Sequence, residues 1–150
     1  MSVLVDSSVW IEYFRGTSAI ADRVDALITE NMIVGCDVVL AELIPVLVHR
    51  KEHHLAALLK EIERHPLSTD WNAIIAMQVT CLKHGINKVG IPDLLIVQYA
   101  IQHDYALFTL DAHFRQMARH LPFSLFDARG LRRFPTERLN DGAKKAILMP

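Results

Sequence analysis

The stretch "VLVDSSVWIEYFR", residues 3–15, changes its periodicity at a single residue. Val3, Leu4 and Val5 form an apolar run too short for a helix and rich in β-branched side chains, which reads as a buried strand. Asp6 ends it. "SVWIEYFR" then reads as a short helix, with Ser7 or Ser8 as its N-cap. A strand that passes straight into a helix is the opening of an α/β chain, and the question is whether the alternation continues.

It does. "TSAIADRVDALITEN" carries Ile20, Val24, Leu27 and Ile28 at helical spacing and leads into "MIVGC", a second strand. "DVVLAELIPVLVHRK" follows as a strongly apolar helix, expected to kink near Pro45 because proline cannot donate to the carbonyl of Ala41. "HHLAALLKEIERH" reads as a helix and "PLST" as a brief strand. "DWNAIIAMQVTCLKHG" reads as a helix opened by Asp70 and closed by Gly85. Residues 91–103 form another, with Pro92 at its first position. "ALFTL" is a strand, "DAHFRQMARHL" a helix and "FSLF" a last short strand. Strands separated by helices imply a parallel sheet covered on both faces, in a three-layer α/β/α domain with a central, mainly parallel sheet of four to five strands.

A chain of 150 residues, 51% hydrophobic, is one ordinary domain with enough apolar side chains for a core. No apolar run is long enough to span a membrane, and "MSVLVDSSVW" lacks the basic flank and cleavage site of a leader, so a cytoplasmic protein is expected. Cys36 and Cys81 have no metal spacing and sit in apolar stretches, as inert buried thiols do. Charge divides the chain. Residues 1–127 hold ten Lys and Arg against fifteen Asp and Glu, a net of −5, whereas residues 128–150 hold six basic side chains against Glu137 and Asp141, a net of +4. The division reads as a domain at 1–127 followed by a basic C-terminal extension at 128–150. That extension is either a solvated tail or a source of phosphate contacts.

Four acids stand out against this apolar background. Asp6 and Asp111 follow strands at their carboxyl ends, the edge where open α/β sheets bind ligands. Asp93, in "VGIPDLLIVQYAI", sits at a helix N-terminus, which favours its ionised form. Glu42 is the one charged residue between Val38 and Val48. Singly, each has an ordinary structural reading as a cap, a turn residue or half of an ion pair. Together, carboxylates gathered at one sheet edge would repel each other unless a cation offsets them. An all-oxygen set, without cysteine or histidine at ligand spacing, suits Mg²⁺ or Mn²⁺ and argues against zinc.

"VLVDSSVWIEYF", "AEL" around residue 42, "IPDLLIVQYAI" and "LFTLDAHFRQMA" resemble the four acidic motifs of PIN-domain ribonucleases, and more narrowly of the VapC-type toxins of toxin–antitoxin pairs. The resemblance covers residues 1–127 in order and spacing. It implies a metal-dependent endoribonuclease that hydrolyses RNA phosphodiester bonds, leaves 5′-phosphate and 3′-hydroxyl ends, forms homodimers and is inhibited by a cognate VapB-type antitoxin. The family's metal-binding acids fall on Asp6, Glu42, Asp93 and Asp111, and the hydroxyl often found two residues before the last acid falls on Thr109. Pro45, one turn after Glu42, departs from the pattern and could shift that carboxylate; so does the length of the chain past residue 127.

The chemistry is consistent with the site. Phosphodiester cleavage needs an in-line nucleophile and neutralisation of the non-bridging oxygens, and a carboxylate-held Mg²⁺ serves both without a histidine base. Asp6, Asp93 and Asp111 are then ligands, Glu42 a further ligand or a base, and Thr109 a partner that positions Asp111 or a water. Two other enzymatic or binding readings remain: a housekeeping PIN nuclease in RNA processing, and a PIN-like binding module without catalysis, which the presence of all four acids disfavours. An aspartate-based phosphatase is weaker, since no second aspartate follows Asp6 two residues later. His49 and His53, four apart, lack a third ligand and read as a solvated helix end. His113 reads as a surface or substrate contact. Trp10, Tyr13 and Phe14 read as packing, ahead of base stacking.

Overall fold

The computed structural model describes residues 1–127. The extension at 128–150 lies outside the described residues. Four strands and seven helices follow in the order β1 (Val3–Val5), α1 (Ser7–Arg15), α2 (Ala19–Thr29), β2 (Ile33–Val34), α3 (Asp37–His49), α4 (His53–Lys60), α5 (Trp71–Lys83), α6 (Ile91–His103), β3 (Ala106–Phe108), α7 (Ala112–Met117) and β4 (Ser124–Leu125). The strands form one sheet in the order β2-β1-β3-β4, and every pairing is parallel. With four parallel strands between helices, this is the expected α/β/α domain. Val3, Leu4 and Val5 are at most 1% exposed, as a strand covered on both faces must be.

Strand order determines where a ligand can sit. From β1 the chain crosses to β2 on one side and later returns to β3 on the other, so the connections diverge between β1 and β3. In open α/β sheets the crevice at the carboxyl ends of two such strands is the ligand site. The register places Val5 beside Phe108, and the next residue continues the ladder, with Asp6 N–H donating to the Phe108 carbonyl at 2.9 Å. Asp6 and Thr109, 103 positions apart in the chain, therefore leave the sheet side by side.

Local differences from the sequence reading have tertiary or capping causes. The N-cap of α1 is Asp6, and neither serine takes that place. Residues 61–65 leave the helical path: Arg64 Nε donates to Asp37 and Nη1 to the Lys60 carbonyl, both at 2.6 Å, and Gly35 N–H donates to Glu63 O at 2.8 Å. Pro66 already disfavours helix at the residue before it. "PLST" forms no strand. In α6, Gly90 is the N-cap and Pro92 takes the second helical position. The helix α3 runs unbroken through Pro45.

The remaining features follow the sequence. Asp70 caps α5 by accepting from Ala73 N–H at 3.1 Å, and Gly85 follows it at φ +69°. Cys36 and Cys81 are free and fully buried, and burial pushes both thiols up. Trp10 and Tyr13 are core residues, 3% exposed, with Tyr13 Oη donating to the buried Asp25 at 2.8 Å. His49 ends α3 and His53 opens α4, both exposed, with Lys51 at φ +60° between them, so no single helix face carries the pair. Among the described residues no helix is long and apolar enough to cross a membrane.

Candidate active site

Asp6 is the buried centre of the crevice, 3% exposed. A carboxylate so deeply withdrawn from water needs donors to its charge. It has two hydroxyls on one oxygen: Ser8 Oγ donates to Asp6 Oδ2 at 2.7 Å and Thr109 Oγ1 donates to the same atom at 2.9 Å. Both hydroxyls are also acceptors. Leu110 N–H donates to Ser8 Oγ at 3.1 Å and Asp111 N–H to Thr109 Oγ1 at 3.0 Å. Two short relays thus tie the end of β1 to the loop after β3, and they orient Asp6 and Asp111 through that loop.

Asp111 is the N-cap of α7, and its Oδ1 accepts from His113 N–H at 2.9 Å with His113 Nδ1 at 3.1 Å. Asp93 stands at the third position of α6, where its Oδ2 accepts from Gly90 N–H at 3.4 Å in a capping box. Glu42, in the middle of α3, accepts from Ser7 Oγ at 2.8 Å, so Pro45 leaves it facing the end of β1.

The four carboxylates share one electrostatic neighbourhood. Burial pushes Asp93 above the usual carboxylate range, and the Asp111 and Asp6 charges push it further; Gly90 N–H and His113 act against the shift. Glu42 is also raised, by partial loss of water at its carboxyl end, with Ser7 opposing and Asp6 and Asp93 adding to it. Glu42 as a residue is exposed, so its stem faces solvent while its carboxylate is partly withdrawn. All four acids therefore crowd one edge, and the donor set is oxygen throughout, which fits a hard divalent cation. Among the described residues no three Asp, Glu, His or Cys side chains converge on one point as ligands. Each carboxylate is turned to its own local donor, and the close approach of like charges is disfavoured.

The sequence reading brought Asp6, Asp93, Asp111, Glu42 and Thr109 to this edge, and the structure places all five there. It missed Ser7 and Ser8 as site residues, having taken them for helix caps. The missed signal was that "DSS" follows a strand end directly, which leaves two hydroxyls next to whatever Asp6 faces.

Thr109 can be tested apart from the acids. It is 8% exposed, and its hydroxyl serves Asp6 and Asp111 at once. Thr109→Val keeps the shape and strands a backbone N–H and a carboxylate oxygen, which should lower stability by about 1–3 kcal/mol. Thr109→Ser, which keeps the hydroxyl, should retain most of it. Equal melting temperatures for the Val and Ser variants would show that the relay contributes nothing.

Three comparisons place this geometry. The family model for the PIN domain matches residues 3–120. Similar solved structures include the crystal structure of FitAcB from Neisseria gonorrhoeae, at TM-score 0.61 and 21% identity over 86% of this chain and 99% of that one. VapBC2 from Rickettsia felis, bound to a DNA fragment from their promoter, gives TM-score 0.67 and 19% identity over 84% of this chain and 98% of that one. No curated protein matches the chain. At those identities the solved structures show the fold, and the family rests on the model, whose match runs from the first strand to just past α7: the chain belongs to the PIN domain family.

Proposed function

We propose that this protein is a metal-dependent endoribonuclease toxin of the VapC type, using Mg²⁺ or Mn²⁺ and held inactive by a VapB-type antitoxin. PIN domains are generally nucleases, and PIN nucleases generally use divalent metal ions. One observation carries the reading to this chain: Asp6, Glu42, Asp93 and Asp111 meet at the β1/β3 crevice, and Glu42 and Asp93 are raised there by burial and by the charges of their neighbours.

Asp6, Asp93 and Asp111, with Glu42, are the residues that would hold the cation. When bound, such a cation neutralises phosphate oxygens and eases deprotonation of a water near neutral pH. The chain's own contribution is positional. Ser8 and Thr109 fix the direction of Asp6, Thr109 fixes the backbone of Asp111, Ser7 fixes Glu42, and the first turn of α6 fixes Asp93. Held this way, the acids enter the reaction already oriented.

A groove supports the antitoxin half of the reading. Between α1 and α3 lies a cleft of about 390 Å³ with Ile11, Phe14, Val46 and Leu47 on its walls and Arg15 and Arg50 at its sides, and Ser7 and Glu42 are part of its lining. An apolar peptide segment lying there would reach the carboxylates. The solved relatives are described as FitAcB and as VapBC2. A homodimer and a cytoplasmic setting complete the proposal.

The experiment is expression of the wild-type chain and of Asp93→Asn in cells, with 5′ ends mapped across cellular RNA. Wild type is expected to arrest growth and create new ends at few sites, and Asp93→Asn to do neither. Co-expression of a neighbouring small antitoxin gene should relieve the arrest. Cleavage without arrest would point to a housekeeping PIN nuclease, and no new ends in either strain would point to a binding module.

A further inference from the structure

One helix has a second apolar face that nothing among the described residues covers. On α5, Ile74, Met77 and Cys81 face the core and are at most 8% exposed. Trp71, Ile75, Val79 and Leu82 are 58%, 61%, 44% and 57% exposed. At about 100° per residue, these four and Gln78 fall within about 100° of arc along a stripe about 17 Å long. No charged residue lies between Trp71 and Leu82. Large apolar side chains gathered on one exposed face mark a protein-contact site, whereas singly scattered ones need no explanation.

We propose that this face of α5 docks the same face of a second copy of the chain, the two helices antiparallel about a two-fold axis. The inference deepens the homodimer part of the reading above and rests on it. Three features select this occupant. A two-fold contact must be self-complementary, and the stripe has a bulky apolar residue at each end, Trp71 and Leu82, so that antiparallel pairing sets one over the other. Gln78, near the middle, has its Oε1 buried without a hydrogen-bond partner. A primary amide carries both donor and acceptor, so two copies turned to each other across the axis can satisfy both groups at once. The absence of charge gives no purchase to RNA phosphates or to a basic peptide arm, while it costs nothing between like copies of net charge −1. One helix stripe is less than the roughly 800 Å² per partner of a standard interface, so the dimer should dissociate on dilution.

Trp71 reports on the face directly, because the only other tryptophan, Trp10, is 3% exposed and stays in the core. Sedimentation and tryptophan emission of the full chain are followed over a concentration series, for wild type, Ile75→Glu and Leu82→Glu, with circular dichroism as the check on folding. Both substituted residues are exposed, so the variants should fold. Wild type is expected to pass from monomer to dimer with a concentration-dependent blue shift of Trp71, and each variant to raise the dissociation constant at least tenfold. A wild type that stays monomeric would overturn the homodimer reading together with this face. A dimer that forms with Trp71 unshifted, or that survives both variants, would overturn the face alone. Emission already blue at the lowest concentration would show the stripe covered within one chain, which also overturns it.

Discussion

Asn in place of Asp6, Asp93 or Asp111 is expected to lower RNA cleavage by about 10²–10⁴-fold, the scale of losing one group that acts on the transition state, while leaving the chain folded. The side chains are near-isosteric, and each structural bond has a replacement. In Asp6→Asn, the amide oxygen can face the Ser8 and Thr109 hydroxyls that now meet on Oδ2. In Asp93→Asn, the amide oxygen can still accept from Gly90 N–H, and Asn is as good an N-cap as Asp for α7 at position 111. What is lost is the negative charge that holds a cation. Without metal, the Asp93→Asn protein should be more stable than wild type at neutral pH, because burial and the Asp111 and Asp6 charges disfavour the ionised form in the fold. Initial cleavage rates and metal-free melting curves check both halves. A clear fall in metal-free melting temperature for all three variants would show that the acids are there for structure.

Chelation is expected to abolish cleavage, and Mg²⁺ or Mn²⁺ to restore it. The same treatment should change how stability depends on pH. Asp93 and Glu42 are both raised in the metal-free fold, by burial first and then by neighbouring acids. A carboxylate whose folded pKa exceeds its unfolded value binds more protons in the native state between those two values. Stability therefore falls as pH rises through that window, and at neutral pH the penalty is complete. In EDTA the protein should melt higher as the pH is lowered from about 7 towards 5, so far as these two groups govern it. With Mg²⁺ present the slope should shrink or reverse, because the cation binds the ionised carboxylates. A metal at about 100 times its dissociation constant adds about 2.7 kcal/mol, or roughly 5–10 °C for a chain of this size. Full activity in excess EDTA, or the same pH slope with and without Mg²⁺, would remove the metal from the reading.

Much of this protein was legible in its residues. The β-branched run at Val3–Val5, the caps Asp70 and Gly85, and the alternation of short apolar runs with 3.6-period segments were enough for a parallel α/β sheet, because strand and helix periodicities are local properties. Asp6 and Asp111 were legible as edge residues for the same reason: a carboxylate that directly ends a buried run must sit where the sheet ends. What local pattern could not contain was any partner far along the chain. The path of residues 61–65 was settled by Asp37 and Gly35, against a good helical pattern. Ser7 and Ser8 looked like caps because capping is the nearest use for a hydroxyl after a strand. Their actual partners, Glu42 and the Asp6–Leu110 relay, lie 35 and 102 residues away for the Ser7–Glu42 and Ser8–Leu110 bonds. The uncovered stripe on α5 was invisible for a related reason: sequence shows that a helix is apolar on two sides, and only packing shows which side the core uses. The sequence by itself determined the elements and the acids at the sheet edge, since those depend on neighbours a few residues apart. Only the tertiary structure, through the β1/β3 register that sets Asp6 beside Thr109, decided which hydroxyl holds which carboxylate.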